Sequence, residues 1–448
     1  MTMPPRSLAP LPHSAVAAPP SRKGNAERAT RSPTYVGVRV FRIAVALYIV
    51  VTVARIHGVI PGLAYLRPGK LLMLPLVASA LLAVPRWQLL SPFGTTTAKC
   101  IGVIVVLGTF GIPLGIWPTN STLFLVSALP TLLLFVGASV AFVDRATATL
   151  CIKTLVFGVT ADALYLLAGL APLMAGRPYI GVGLGPNESA TVFVLAFPFA
   201  VALGSGRGRM RWLGFAIAGV LAAGVVKTGS RGGVIGLAVV AMALIARAGP
   251  RRRLTYLIAV AVCAAGAALT ADDTLIERMG TLTQSRADYN VTDREGRLQV
   301  WTRGLGYMAT HPLLGIGLDN FESAEGVLSG KIDLGYGVRY TAAHNSFVQV
   351  GAELGIFGLA AFVVALWSAA RGCRRVLRAA ARDHRQHPQL ADDETRLATA
   401  ALCALLGVVT TGFFLSLAYH PITLFVLAVC IGVRVGSPYE SSFFMRRR

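Results

Sequence analysis

The sequence predicts an all-α polytopic membrane protein with about twelve transmembrane helices and one large polar loop. Three observations predict it. Hydrophobic residues make up 54% of the 448-residue chain and charged residues only 14%, well below the roughly 25% charged of a soluble domain. Apolar runs close to the ~20 residues a bilayer crossing needs recur along most of the chain. The formal net charge of +22 comes from arginines placed between those runs. They include Arg207, Arg209 and Arg211, then Arg247 with Arg251 to Arg253, then Arg371, Arg374, Arg375, Arg378 and Arg382, and finally Arg446 to Arg448. Short cytoplasmic loops collect such residues because they resist translocation. A nucleic-acid site would instead gather them on one soluble face, so no nucleic-acid partner is expected.

Taken in order, residues 1–35 are rich in Pro, Ala, Ser and Arg without apolar periodicity, which reads as a disordered cytoplasmic tail. Residues 36–270 hold the N-terminal spans, at about 41–54, 70–84, 100–117, 122–143, 150–172, 188–204, 212–227, 233–246 and 254–270. Residues 346–437 hold the C-terminal spans, at about 346–369, 396–416 and 421–436, and 438–448 form a basic cytoplasmic tail. An even number of crossings from a cytoplasmic start leaves both termini on that side and puts the Arg groups there too. The six cysteines lie in or beside apolar runs or in a basic loop, without disulfide or metal-ligand spacing.

Residues 271–345 break the pattern as a long loop on the opposite, periplasmic side, holding half of the 20 Asp and Glu. Loops of this length are functional or disordered. Its aromatic and leucine content argues against disorder. From Arg297 to Met308 the apolar residues Leu298, Trp301, Leu305 and Met308 recur at helical spacing. His311-Pro312 should end that helix, and Gly315 and Gly317 give a turn.

Three places could carry chemistry. Thr228-Gly229-Ser230-Arg231-Gly232-Gly233 lies between two apolar runs. Arg231 there is either a snorkelling interfacial cation or part of a site that the glycines let another group approach. Arg297 with Trp301 one turn on is either a surface cation–π pair or a ligand-binding pair. His344-Asn345 ends the long loop at the membrane edge. A lone His is commonly structural, yet this is the side chain best suited to proton transfer near neutral pH. Asp162, inside a span, is the main residue a transporter would use, and a helix–helix hydrogen bond is its simpler explanation. Asp272-Asp273 could serve a metal-dependent transfer or simply end a helix in solvent.

The order of these segments resembles the O-antigen ligase family. The residues that carry the resemblance are Arg231-Gly232, Arg297 with Trp301, Pro312 with Gly315 and Gly317, His344-Asn345, Glu353 with Gly355 and Gly358, and Pro186-Asn187. They cover roughly residues 180–370. The resemblance implies a glycosyltransferase C-type fold in the bacterial inner membrane with its active site facing the periplasm. It implies an inverting, metal-independent enzyme without cofactor that moves a glycan from undecaprenyl diphosphate to an acceptor such as lipid A–core. It gives Arg231 and Arg297 to the diphosphate and His344 to the acceptor hydroxyl, with Asn187, Trp301, Asn345 and Glu353 as further substrate contacts. A polysaccharide polymerase or a protein O-oligosaccharyltransferase would share the fold. A transporter is the more distant alternative.

Overall fold

The computed structural model describes residues 35–60, 62–181, 183–206, 208, 210–249, 253, 256–257, 296–327 and 341–440. The expected tail at 1–34, the span at 254–270 apart from residues 256 and 257, Asp272-Asp273, the loop residues 271–295 and 328–340, and the last residues 441–448 lie outside them.

The described residues form a helical bundle. Its first half runs α1 (Tyr35–Ile49), α2 (Pro68–Ala83), α3 (Arg86–Leu90), α4 (Thr96–Phe110), α5 (Pro118–Ser127), α6 (Leu129–Ala141) and α7 (Arg145–Leu167). A two-stranded hairpin follows, β1 (Leu173–Met174) and β2 (Arg177–Pro178), then α8 (Pro186–Gly204), α9 (Met210–Lys227) and α10 (Arg231–Arg247). Beyond the undescribed stretch come α11 (Arg297–Thr310), α12 (Phe321–Val327), α13 (Ser346–Asp383), α14 (Pro388–Gly412) and α15 (Pro421–Gly436).

Among the described residues, 7 helices are long and apolar enough to cross a membrane, or up to 8 if the pair at 86–94 and 96–110, bent by 76°, is one span. Each expected span other than 254–270 coincides with a described helix, but several, such as Pro68–Ala83 and Pro421–Gly436, are shorter than a full crossing. Leu74 and Leu82 of α2 are 77% and 81% exposed. Contiguous apolar surface of this kind marks contact with lipid or a partner. α8 is different: 78% of its apolar window is buried. A helix apolar on all sides belongs in the middle of a bundle, and α8 packs against α9, α10 and α14.

The arginines from Arg371 to Arg382 are not in a connection, as the sequence suggested. They ride on α13, which continues to Asp383. The stretch is rich in Ala, Leu and Arg, all strong helix formers, and meets no proline until Pro388.

α13 also carries a break. Gly355 has φ 64 and ψ −164 inside it, a conformation that glycine adopts without steric cost. The break exposes the Ala352 and Glu353 carbonyls, which accept from Ile316 N at 2.9 Å and Gly317 N at 3.0 Å, while Ile356 N donates to the Pro312 carbonyl at 2.8 Å. The two glycine-bearing segments singled out in the sequence, 312–317 and 353–358, therefore pair with each other. A Cβ on Gly315 would lie 2.3 Å from the Glu353 carbonyl carbon, at φ +69. Gly315→Val should cost at least about 1–3 kcal/mol by overpacking alone, read as a lowered thermal midpoint of the purified protein in detergent. An unchanged midpoint would mean the segments do not pair this way.

Candidate functional site

Arg231, Arg297, Asn187 and the His344-Asn345 pair sit at the starts of four separate helices. Arg231 is the first residue of α10, Arg297 the first of α11, and Asn187 the second of α8. Asn345 is the N-cap of α13, with His344 just before it. Helix N-termini carry partial positive charge and unpaired N–H groups, so they favour anions.

The turn before Arg231 is fixed locally. Gly229 has φ 62, and the Ser230 hydroxyl caps α10 by accepting from Gly233 N at 3.2 Å. Gly233 lets α10 meet α8, since a Cβ there would lie 2.6 Å from the Ala190 Cβ.

Arg177, which the sequence reading missed, ties these two helix starts together. Its Nε donates to the Thr228 carbonyl at 2.9 Å and its guanidinium to the Asn187 Oδ1 at 2.8 Å. The hairpin turn that presents it has positive φ at Ala175 and Gly176, as a tight two-residue turn of this kind requires. Asn187, expected as a substrate contact, thus has its side-chain oxygen engaged by Arg177.

His344 is held from both sides. The Trp301 Nε1 donates to the Ala343 carbonyl at 3.0 Å, and His344 N donates to the Ser416 hydroxyl at 2.9 Å. His344 itself has φ 48, a left-handed conformation that costs a non-glycine residue about 1–3 kcal/mol and marks sites held by their surroundings. Asn345 Oδ1 accepts from Phe347 N at 2.9 Å and Val348 N at 3.1 Å, so its oxygen caps α13. Burial first, and the nearby Arg297 charge second, push the His344 imidazole down to about 4. The ring is therefore neutral at pH 7 and able to accept a proton.

The stretch between α14 and α15 gathers these parts. The Trp301 ring meets Phe413 edge-on at 5.5 Å, and a Cβ on Gly232 would lie 3.3 Å from Phe414. Ser346 Oγ donates to the Leu415 carbonyl at 2.8 Å. At the other end of this stretch His420 caps α15 and is pushed down to about 3 by burial and by Arg55. Arg55, also missed in the sequence, packs on Gly181 and Gly183.

Beside Arg231, an open apolar groove of about 430 Å³ is lined by Ile235, Phe347, Val409, Thr410, Phe413 and Phe414. Ile235 lies one helical turn from Arg231, on the same face.

Glu353 does not join the group. It is 1% exposed and its Oε1 accepts from Phe321 N at 3.3 Å, so it secures the start of α12 and offers no surface to a substrate. Asp162 also corrects an expectation. It is fully buried, and neither carboxylate oxygen has a hydrogen-bond partner among the described residues. The helix–helix bond expected for it does not form among the described helices.

Residues 216–363 match the family model described as O-antigen ligase. Over this segment the chain is similar to the O-antigen ligase family. The segment runs from within α9 to within α13 and includes Arg231, Arg297, Trp301, His344, Asn345 and Glu353. The resemblance read in the sequence is borne out over it. This similarity supports glycan transfer of the ligase or a related polymerase type. Arg55, Arg177, Asn187 and the 413–420 stretch lie outside it. No curated protein matches the chain.

Trp301→Phe should keep the ring contact with Phe413 and lose the bond to Ala343. The expected result is a lowered thermal midpoint of the purified protein in detergent, because the backbone at 343–344 loses one of its two ties. An unchanged midpoint would mean that the bond to Ala343 does not hold this segment.

Proposed function

We propose that the protein transfers a glycan from undecaprenyl diphosphate to an acceptor hydroxyl at the periplasmic face of the bacterial inner membrane. The observation that carries this reading is the junction of Arg231, at a helix N-terminus, with the apolar groove one turn below it. A ligand that fits both is an amphiphile with a phosphorylated head and a hydrocarbon tail. Lipid A–core is the acceptor implied by the ligase resemblance.

In this mechanism Arg231 and Arg297 bind the diphosphate through charge-assisted, forked hydrogen bonds. The acceptor oxygen attacks the anomeric carbon from the face opposite the diphosphate. The bond from carbon to the diphosphate oxygen breaks, its electron pair leaves on undecaprenyl diphosphate, and the configuration inverts. The arginines stabilise that growing charge. The acceptor proton passes to His344. Arg297 links the two halves: once its charge is met by diphosphate, it depresses the imidazole less, so donor binding makes His344 a stronger base.

Glycolipid analysis of a deletion strain tests the reaction type. Loss of polymer from lipid A–core, with polymer kept on undecaprenyl diphosphate, is the expected result. Accumulation of single repeat units would make the protein a polymerase, and unchanged glycolipids would end the proposal.

A further inference from the structure

The end of the bundle away from the candidate site has a recess of its own. α8, α10 and α14 meet there, at the ends opposite Asn187, Arg231 and Gly412. Ser205, Arg247, Tyr256, Thr395, Arg396 and Thr399 line a space of about 70 Å³. At roughly 10–15 Å³ for each water-sized centre, this takes one small polar group and not a sugar nucleotide.

Its chemistry is that of an anion site. Arg247 has no hydrogen bond or ion pair to another described residue, while Arg396 pairs with the exposed Asp393 one turn back. The Tyr256 and Ser205 hydroxyls are 2.9 Å apart, and the Tyr256 ring is braced edge-on by Phe215 at 6.4 Å. The C-termini of α8 and α10 oppose an anion through their helix dipoles. At α10 this is offset by Arg253, whose Nε donates to the Ala248 carbonyl at 2.9 Å and whose guanidinium reaches the Ala246 carbonyl at 3.4 Å.

A second observation sets the depth. At the same end, where α9 begins, Trp212 is 74% exposed, with the Arg211 guanidinium 5.6 Å from its ring centroid. Exposed tryptophan beside arginine is the pattern of the membrane–water interface. The recess therefore lies at headgroup level, where basic pockets between spanning helices hold anionic lipid. We propose that this recess binds the phosphate of an anionic membrane phospholipid. The inference rests on the chain spanning the membrane and not on the glycan-transfer reading.

The test uses the full-length protein purified in neutral detergent, with phosphatidylglycerol, phosphatidylcholine and inorganic phosphate as probes. Native mass spectrometry should show phosphatidylglycerol retained under collisional activation that strips phosphatidylcholine. Thermal midpoints should rise with phosphatidylglycerol alone. Two arginines at the headgroup layer correspond to about 10- to 30-fold in affinity, so the double variant R247Q/R396Q should lose retention by that factor, while R211Q keeps it. Thr399→Phe, which fills the recess without removing charge, should also exclude the lipid in protein that still elutes as the wild type does. Equal retention by R247Q/R396Q, or by T399F, would overturn the proposal. So would phosphatidylcholine or inorganic phosphate acting as well as phosphatidylglycerol; in the last case the site is one for a free anion.

Discussion

His344→Ala should lower glycan transfer about 10²–10⁴-fold, the usual contribution of a general base, in protein that still inserts and still binds donor lipid. The imidazole is neutral at pH 7, held down to about 4 by burial and by Arg297, and its backbone is pinned by Ser416 and, through Ala343, by Trp301. Because its φ is 48, His344→Asn is the safer replacement: asparagine accepts the left-handed region readily and offers no base. It should be as inactive as alanine. The pH profile follows from the sign of the shift. A depressed pKa means that kcat/KM is flat through neutrality and falls only as the pH drops toward about 4 and the ring gains a proton. Arg297→Gln removes one cause of the depression, so the acid limb should move to higher pH. A packing histidine would show none of this. Near-normal transfer by inserted His344→Gln would remove the residue from the mechanism.

Arg231→Ala and Arg297→Ala should each lower kcat/KM about 10²–10³-fold, the scale of losing one donor to a developing anion. Unlike the His344 changes, they should also weaken donor binding, since phosphate contacts act in the ground and transition states alike. Arg→Lys should restore part of the loss, because an ammonium keeps the charge and loses the fork. Direct binding of the lipid donor to each variant separates the two classes. An arginine variant with reduced rate and intact donor affinity would assign that residue to positioning instead.

Local pattern made much of this legible. The helix read from Leu298, Trp301, Leu305 and Met308, with its stop at His311-Pro312, is α11, ending at Thr310. Helical periodicity and proline sterics act within a few residues, so a single sequence displays them. The glycines of 312–317 and 353–358 were visible as turn residues, but their backbone pairing was not: it joins segments about forty residues apart, and the apolar character of α13 runs straight through Gly355 without marking the break. Arg177 and Arg55 were missed for a related reason. Each stands near the end of an apolar run, as a snorkelling arginine would, and only the tertiary packing shows Arg177 joining Asn187 to Thr228. Glu353 and Asn345 lay in the right motifs, yet the fold uses their oxygens to secure helix starts.

The central claim is that the two arginines and His344 move a lipid-linked glycan. The most direct measurement is transfer by the purified full-length protein in liposomes, from a labelled undecaprenyl-diphosphate glycan to lipid A–core, in excess chelator. The account predicts labelled product of inverted anomeric configuration from the wild type, and almost none from His344→Asn under conditions where donor still binds. Strict dependence on added Mg²⁺ or Mn²⁺, or product with retained configuration, would contradict it.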